Sequence, residues 1–445
     1  MLNEIAGPAS RHCDVLVIGG GPAGSTAAAL LAEKGHQVTL LEKAHHPRFH
    51  IGESLLPANL SLFDQLGVRD EIEAIGMEKW GVEFVSPWHE HRQTFEFGDA
   101  WNKTMPLSFQ VRRSEFDEIL IRNAGRKGAE VIEGCRVREV VFLPNDEGAL
   151  VHAEHDSGVR EIWHCRFLVD ASGRDTFLGN RLKAKQRNPK HNSAALYGHF
   201  KDAQRLEGRQ EGYISIFWFE HGWFWFIPLA DGSTSVGAVI WPHVLKARTK
   251  PPAGFLLELI DQCPALAGRL SRAELVSDVE ATGNFAYACD HTYGANYLLL
   301  GDAYTFIDPV FSSGVMLAMQ SAFVGADTVD TCLRQPQQAA AALKRFDKAM
   351  KHGPKQFSWF IYRVTNPTMR NLFMAPHNIF WVKEALLSVL AGDIFGKTPI
   401  WPSLWAFKMI YYVSSVGNWK DTMLAWKRHK VDIRAVDNPE GANCR

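Results

Sequence analysis

With 445 residues, 46% of them hydrophobic and 22% charged, the chain is long enough for two or three domains and has the balance of a globular protein. A net charge of -1 implies no general attraction to nucleic acid or to an anionic membrane. Seven scattered cysteines, an odd number with no C-x-x-C pair, argue against a disulfide framework or a zinc cage and suit a reducing cytosol. A cytoplasmic location is therefore expected, and no apolar run reaches the length of a membrane span.

In chain order, "MLNEIAGPASRHC" reads as a ragged tail leading into a strand, not as a signal peptide. "DVLVI" (14–18) is a short buried strand, "GGGPAG" (19–24) a turn, "STAAALLAEKG" (25–35) a small-residue helix, and "HQVTLLEK" (36–43) a second strand. This βαβ unit carries G-x-G-x-x-G as Gly19, Gly21 and Gly24, with Glu42 eighteen residues after Gly24. The glycines permit a tight turn and close backbone approach to a diphosphate, whose charge the helix N-terminus favours. Glu42 can accept from a ribose hydroxyl, so the unit predicts a dinucleotide site.

Further along, "SFQVRRSEFDEILIRNA" (108–124) reads as a strand and helix. "FLVDASGRD" (167–175) ends a strand in Asp-Ala-Ser-Gly. "GWFWFIPL" (222–229) is a strand with bulky residues on both faces, Trp223 and Trp225 pointing the same way. "PPAGFLLELIDQCPALAGRL" (251–270) reads as one amphipathic helix, and "NYLLLGDAYTFIDPVFSSGVMLAMQSA" (296–322) as strand, loop and helix. From 351 the composition shifts. Six of the fourteen tryptophans fall there, in helices expected to break at Pro354, Pro367, Pro376 and Pro399. This segment could cap a pocket, form a membrane-surface or partner-docking face, or simply pack on the rest of the chain. His89 and His91 lack a third ligand nearby and read as a surface loop, so no metal is expected.

The glycine turn, "FLVDASGRD" and "LLLGDA" together resemble the aromatic-hydroxylase-like class of FAD proteins. The fold this implies is α/β: a Rossmann-like FAD-binding domain assembled from 1–80, 105–185 and 280–350, a β-rich substrate domain from 81–104 and 186–280, and a C-terminal helical region from 351–445. In that resemblance Asp302 meets the ribityl and diphosphate region, and Arg112 lies near the phosphates, unless Arg112 and Arg113 are only a solvated pair.

Three motifs narrow the resemblance: "KWGVEF" (79–84), W-x-W-x-I-P at 223–228, and F-x-x-P-x-x-S-x-G at 306–314, alongside "HPRFHIGESLLP" (46–57). Together they look like a flavin-dependent halogenase, over residues 12 to about 350. The resemblance implies that FADH2 from a separate flavin reductase, O2 and chloride or bromide yield hypohalous acid. That oxidant would travel through a closed passage to Lys79, which directs it onto an electron-rich ring. FAD would be held by Gly19, Gly21, Ala23, Gly24, Glu42, Ser54, Arg112, Asp302, Pro309, Gly314 and Val315. Ser313 and Gly314 would bind the halide, and Trp223, Trp225, Ile227, Pro228, Phe306 and Pro309 would separate ring from cofactor. The apolar neighbours of Lys79 suggest burial, which would lower its pKa; the plainer reading is an exposed lysine at a helix end.

Where halogenases of free tryptophan carry a glutamate, this chain has Phe311. With its short length, that points to a phenol or pyrrole, free or tethered to an acyl or peptidyl carrier protein. Two alternatives use the same scaffold: a flavin monooxygenase or reductase, and a flavin-binding interaction protein without catalysis.

Overall fold

The computed structural model describes residues 9–427, apart from 190, 284, 285, 377, 418, 419, 421, 422 and 426. The elements that build the site are β1 (Ala9–Ile18), α1 (Pro22–Glu33), β2 (Val38–Leu41), β3 (Met77–Lys79), α2 (Arg113–Arg126), β4 (Arg160–Asp170), β5 (Gly222–Pro228), α3 (Gly314–Arg334), α4 (Ala339–Ile361) and α5 (Trp401–Gly417).

The first large sheet has strand order 293–294, 297–299, β4, β1, β2, 130–132. β1 is parallel to both neighbours, and its Val15, Leu16 and Val17 are fully buried. That suits a β-branched and leucine run with helices on its faces. The registers Ile18↔Leu41 and Ile18↔Asp170 align three strand ends. The glycine turn, Glu42 and Ala171–Ser172 therefore emerge side by side, where parallel sheets place their ligands. Alanines make the helix layer thin: Ala27 and Ala28 of α1 share a core with Ala322 and Ala326 of α3.

The second large sheet runs 274–275, 194–201, 234–240, β5, 214–219, 81–85, 93–96, with 280–283 also paired to 194–201. β5 lies at its centre and is buried throughout. Trp223, Trp225 and Ile227 face one core, and Phe224 and Phe226 face another, beneath the helix Pro252–Asp261. That helix is not the continuous 251–270 segment expected. It ends before Cys263, and a second begins at Pro264, whose ring cannot continue the preceding turn.

The C-terminal helices pack on the tryptophan face of this sheet: Phe357, Phe360, Leu404 and Phe407 join the core of Trp223 and Trp225. Pro354 does not break α4, contrary to expectation. Met350, Phe357 and Phe360 bury one stripe through it, so packing on both sides carries the helix across a single missing N–H. Helix Pro367–Met374 begins at the expected proline. No described helix is long and apolar enough to cross a membrane.

Candidate active site

A cavity of about 480 Å³ lies where the two large sheets meet. Its first wall comes from the glycine turn, Glu42, Arg48 and Arg113, its second from Tyr197, Trp223, Trp225 and Ile227, and its third from Asp302, Phe306, Pro309, Ser312 and Gly314.

The glycine turn is built as its sequence demands. A side chain at Gly19 would meet Ala171 O at 2.5 Å and one at Gly24 would meet Gly19 O at 1.9 Å. Gly21 differs, since a Cβ there would meet only Arg48 Nη2, at 3.7 Å. The backbone at Gly21 is thus left bare toward the cavity for a ligand to approach. Glu42 anchors the turn by accepting from Gly20 N–H (2.6 Å) and Ala44 N–H (2.9 Å).

Arg112 is not on the cavity. It turns outward to Asp231 (2.7 Å) and Ser233 (2.7 Å), while the next residue, Arg113, forms the wall. Arg113 forks onto Asp117 at 2.8 and 3.0 Å and donates to Ile51 O. The phase of α2 explains the difference between the two, although Arg112 Nη1 still lies 3.9 Å from Glu53 Oε1. Arg113, Phe116, Asp117 and Leu120 lie on the buried side, whereas Arg112 caps the helix in extended conformation. Arg48, 3.5 Å from Asp117, is another cavity cation that the sequence did not reveal. Burial alone would raise Asp117, but Arg113, with His50 and Arg48, holds its carboxyl below the ordinary range. Burial and Arg113 push His50 down to about 4, leaving it neutral.

Asp302 lines the cavity, where burial raises its carboxyl to about 6 against the pull of Arg113 and Arg174. Glu53, also on the wall, pairs with His199 Nε2 at 2.9 Å through Oε1, and its buried Oε2 has no hydrogen-bond partner among the described residues. A bare turn, paired guanidiniums and a buried carboxylate oxygen of Glu53 short of a donor fit a diphosphate-bearing, hydroxyl-rich cofactor such as FAD. Ala23, Ser54 and Val315 also line the cavity; Gly24, buried inside the turn, and Pro228 and Ser313, buried beside the wall, do not.

Ser312 has a left-handed backbone (φ 54°), which turns the chain into α3 with Ser313 as its N-cap. The first N–H groups of a helix lack intrahelical partners, so this end offers donors to a small anion. The loop before it is held by Asp308, which the sequence reading passed over. Its carboxylate accepts from Val310 N–H (3.2 Å), the Ser193 hydroxyl (2.9 Å) and His191 Nε2 (2.9 Å).

The tryptophan wall rests on a gap in the neighbouring strand. Trp225 pairs with Gly237, where a Cβ would sit 2.2 Å from the indole. Trp225 Nε1–H donates to Ser235 Oγ at 3.1 Å.

Lys79 is 1% exposed, at the end of β3. Its Nζ donates to Ser54 Oγ and Leu55 O, both at 2.9 Å, and lies 5.3 Å from the Phe97 ring. No carboxylate among the described residues pairs with it, and burial pushes its pKa down to about 7. The amine does not line the cavity. Ser54, which does, stands between them, held to the 108–110 strand by its bridge to Gln110. The cavity therefore reaches Ser54 and not the amine of Lys79 directly behind it, so it does not form the expected passage to that lysine. His89 and His91, by contrast, bind Ser86 and the Met374 carbonyl, and no described cluster of three or more His, Cys, Asp or Glu could hold a metal.

Residues 12–337 match the FAD binding domain family, which makes the chain an FAD-binding flavoprotein. The solved structure of a myxobacterial chondrochloren halogenase superposes with a TM-score of 0.77 at 33% identity, over 88% of this chain and 92% of that one. The tryptophan 2-halogenase of Chondromyces crocatus is 36% identical over 340 residues, covering 75% of this chain and 64% of that protein. The 1H-pyrrole-2-carbonyl-(peptidyl-carrier protein) chlorinase of Pseudomonas fluorescens is 29% identical, over 86% and 89%. The chain belongs to the FAD-dependent halogenases. Its relatives include proteins named for tryptophan and for pyrrole.

Proposed function

We propose that this protein halogenates an electron-rich aromatic ring, a phenol or pyrrole, either free or delivered on a carrier protein. The observation that carries this reading is the amine of Lys79, buried with no counter-charge among the described residues, behind the cavity-lining hydroxyl of Ser54. Bound reduced FAD, with O2, supplies the two-electron oxidation of halide to hypohalous acid, water being the other product.

The chain's own residues do the rest. Gly19, Gly21, Glu42, Arg48 and Arg113 hold the cofactor's phosphates and ribose, with Arg113 in the place first expected of Arg112. The N–H groups at Ser313 and Gly314 hold chloride or bromide. Trp223, Trp225, Ile227, Phe306 and Pro309 keep the ring from the cofactor and water from the oxidant. A pKa near 7 leaves Lys79 divided between two useful states. As an ammonium it hydrogen-bonds and polarises hypohalous acid; as a free amine it attacks the halogen, forming N–X and releasing water. Ser54 accepts from the first state and can donate to the second, so it is placed to follow the change. The ring then takes the halogen and loses a proton. A separate reductase supplies FADH2.

The test is incubation of the protein with FADH2, O2, bromide and a panel of phenols and carrier-bound pyrroles, reading the bromine isotope doublet by mass spectrometry. Lys79→Ala should abolish the doublet while FADH2-dependent O2 consumption continues. Hydroxylation independent of bromide would overturn the proposal in favour of a monooxygenase; retained bromination by Lys79→Ala would remove Lys79 from it.

A further inference from the structure

The whole chain carries -1, but its charge is not evenly spread: residues 339–427 hold twelve Lys and Arg against four Asp and Glu. Within this basic region α5 is apolar on two stripes. Leu404, Phe407 and Tyr411 enter the core, while Trp405, Met409, Tyr412, Val413 and Val416 face solvent. The outer spacing is that of one helical face. Trp405, Val413 and Val416 are 67%, 68% and 75% exposed, which is unusual for a contiguous apolar row. No carboxylate occurs between Trp401 and Lys420. Beside the row, Lys355 and Arg363 each lie within electrostatic reach of Lys408. Arg363 stacks over Trp359 and donates to the Tyr412 hydroxyl, and Lys408 Nζ lies 5.2 Å from the Trp359 ring.

We propose that this outer face of α5 seats the protein on the interfacial zone of an anionic phospholipid bilayer. The chemistry is complementary on two counts. Tryptophan, tyrosine, methionine and valine suit the boundary between headgroups and acyl chains, and the adjoining cations suit lipid phosphates. The shape also favours a bilayer over a protein partner. The apolar surface is a helical ridge of about 17 Å from Trp405 to Val416. A protein partner would need to bring its own long groove. The proposal stands apart from halogenation: α5 turns its other stripe to the core, so membrane seating would leave the cavity described above in place.

The test is flotation of the full FAD-loaded chain with vesicles of phosphatidylcholine alone or mixed with phosphatidylglycerol. Binding to the mixed vesicles is expected, weakened by salt and several-fold lower on phosphatidylcholine alone. Trp405→Ser with Val413→Ser should cut the bound fraction by at least about fivefold, with the flavin spectrum unchanged. Val416→Ser alone, at the most exposed position, provides a milder second variant and should reduce binding in the same direction. No flotation, or flotation that both variants leave unaltered, would overturn the proposal. So would a dimer in sedimentation velocity that the double variant converts to monomer, since the ridge would then be covered by a second copy.

Discussion

Replacing Lys79 by methionine should make the protein more stable at slightly acid pH while removing its activity. The folded chain holds this amine at a pKa of about 7, against 10.5 when it is free in water. The unfolded chain therefore keeps the proton throughout the interval in which the folded chain gives it up. Falling pH favours unfolding across that interval, and the cost is complete below pH 7. At 1.36 kcal/mol per pH unit it amounts to roughly 5 kcal/mol. Methionine fills similar space and removes the cost, but it also leaves Ser54 Oγ and Leu55 O without their donor, which costs about 1–3 kcal/mol. The expected net gain is about 2–4 kcal/mol at pH 6.5, shrinking to about zero or reversing at pH 9.5. Urea unfolding followed by tryptophan fluorescence at both pH values would measure it. A methionine variant less stable by the same margin at both would show that the amine is not held in the strained state described.

Gly21→Ala should fold normally yet fail to retain FAD, because its Cβ meets no backbone atom of the protein and intrudes only on the ligand; near-normal flavin absorbance after purification would contradict this. Gly24→Ala should instead lose soluble protein, since its Cβ would strike Gly19 O. Arg112→Ala should change FAD affinity less than about threefold, whereas Arg113→Ala should weaken it by at least about tenfold and destabilise α2 by leaving Asp117 buried without its partner; flavin titration and thermal melts separate the two effects. Asp308→Asn should raise the halide KM more than it lowers kcat, because it loosens the loop feeding the N-terminus of α3; equal changes in both would make the residue merely structural.

The glycine turn was legible in the sequence because its constraints are local: strand, turn, helix and acid lie within about thirty residues. The two-faced character of β5 was legible for the same reason. What the sequence could not show depended on phase or distance. Arg112 and Arg113 are chemically alike, and only the rotation of α2 decides which faces inward. Pro354 carries the composition of a break, yet the packing of its neighbours keeps α4 whole. The burial of Lys79 could be inferred from its apolar neighbours. Its seclusion behind Ser54 could not, because that depends on a bridge between residues 54 and 110. The hold of His191 on Asp308 spans 117 residues and left no trace in local pattern.

Trp225 occupies space that exists only because position 237 is glycine. The indole and the missing side chain are two halves of one fit, on neighbouring strands. Neither position can be altered freely while the other stays fixed: a bulkier 237 demands a smaller 225, and a smaller 225 leaves a hole behind it. Laboratory evolution that widens this side of the chamber should therefore find its gains in paired substitutions, and libraries that vary only the lining will miss them.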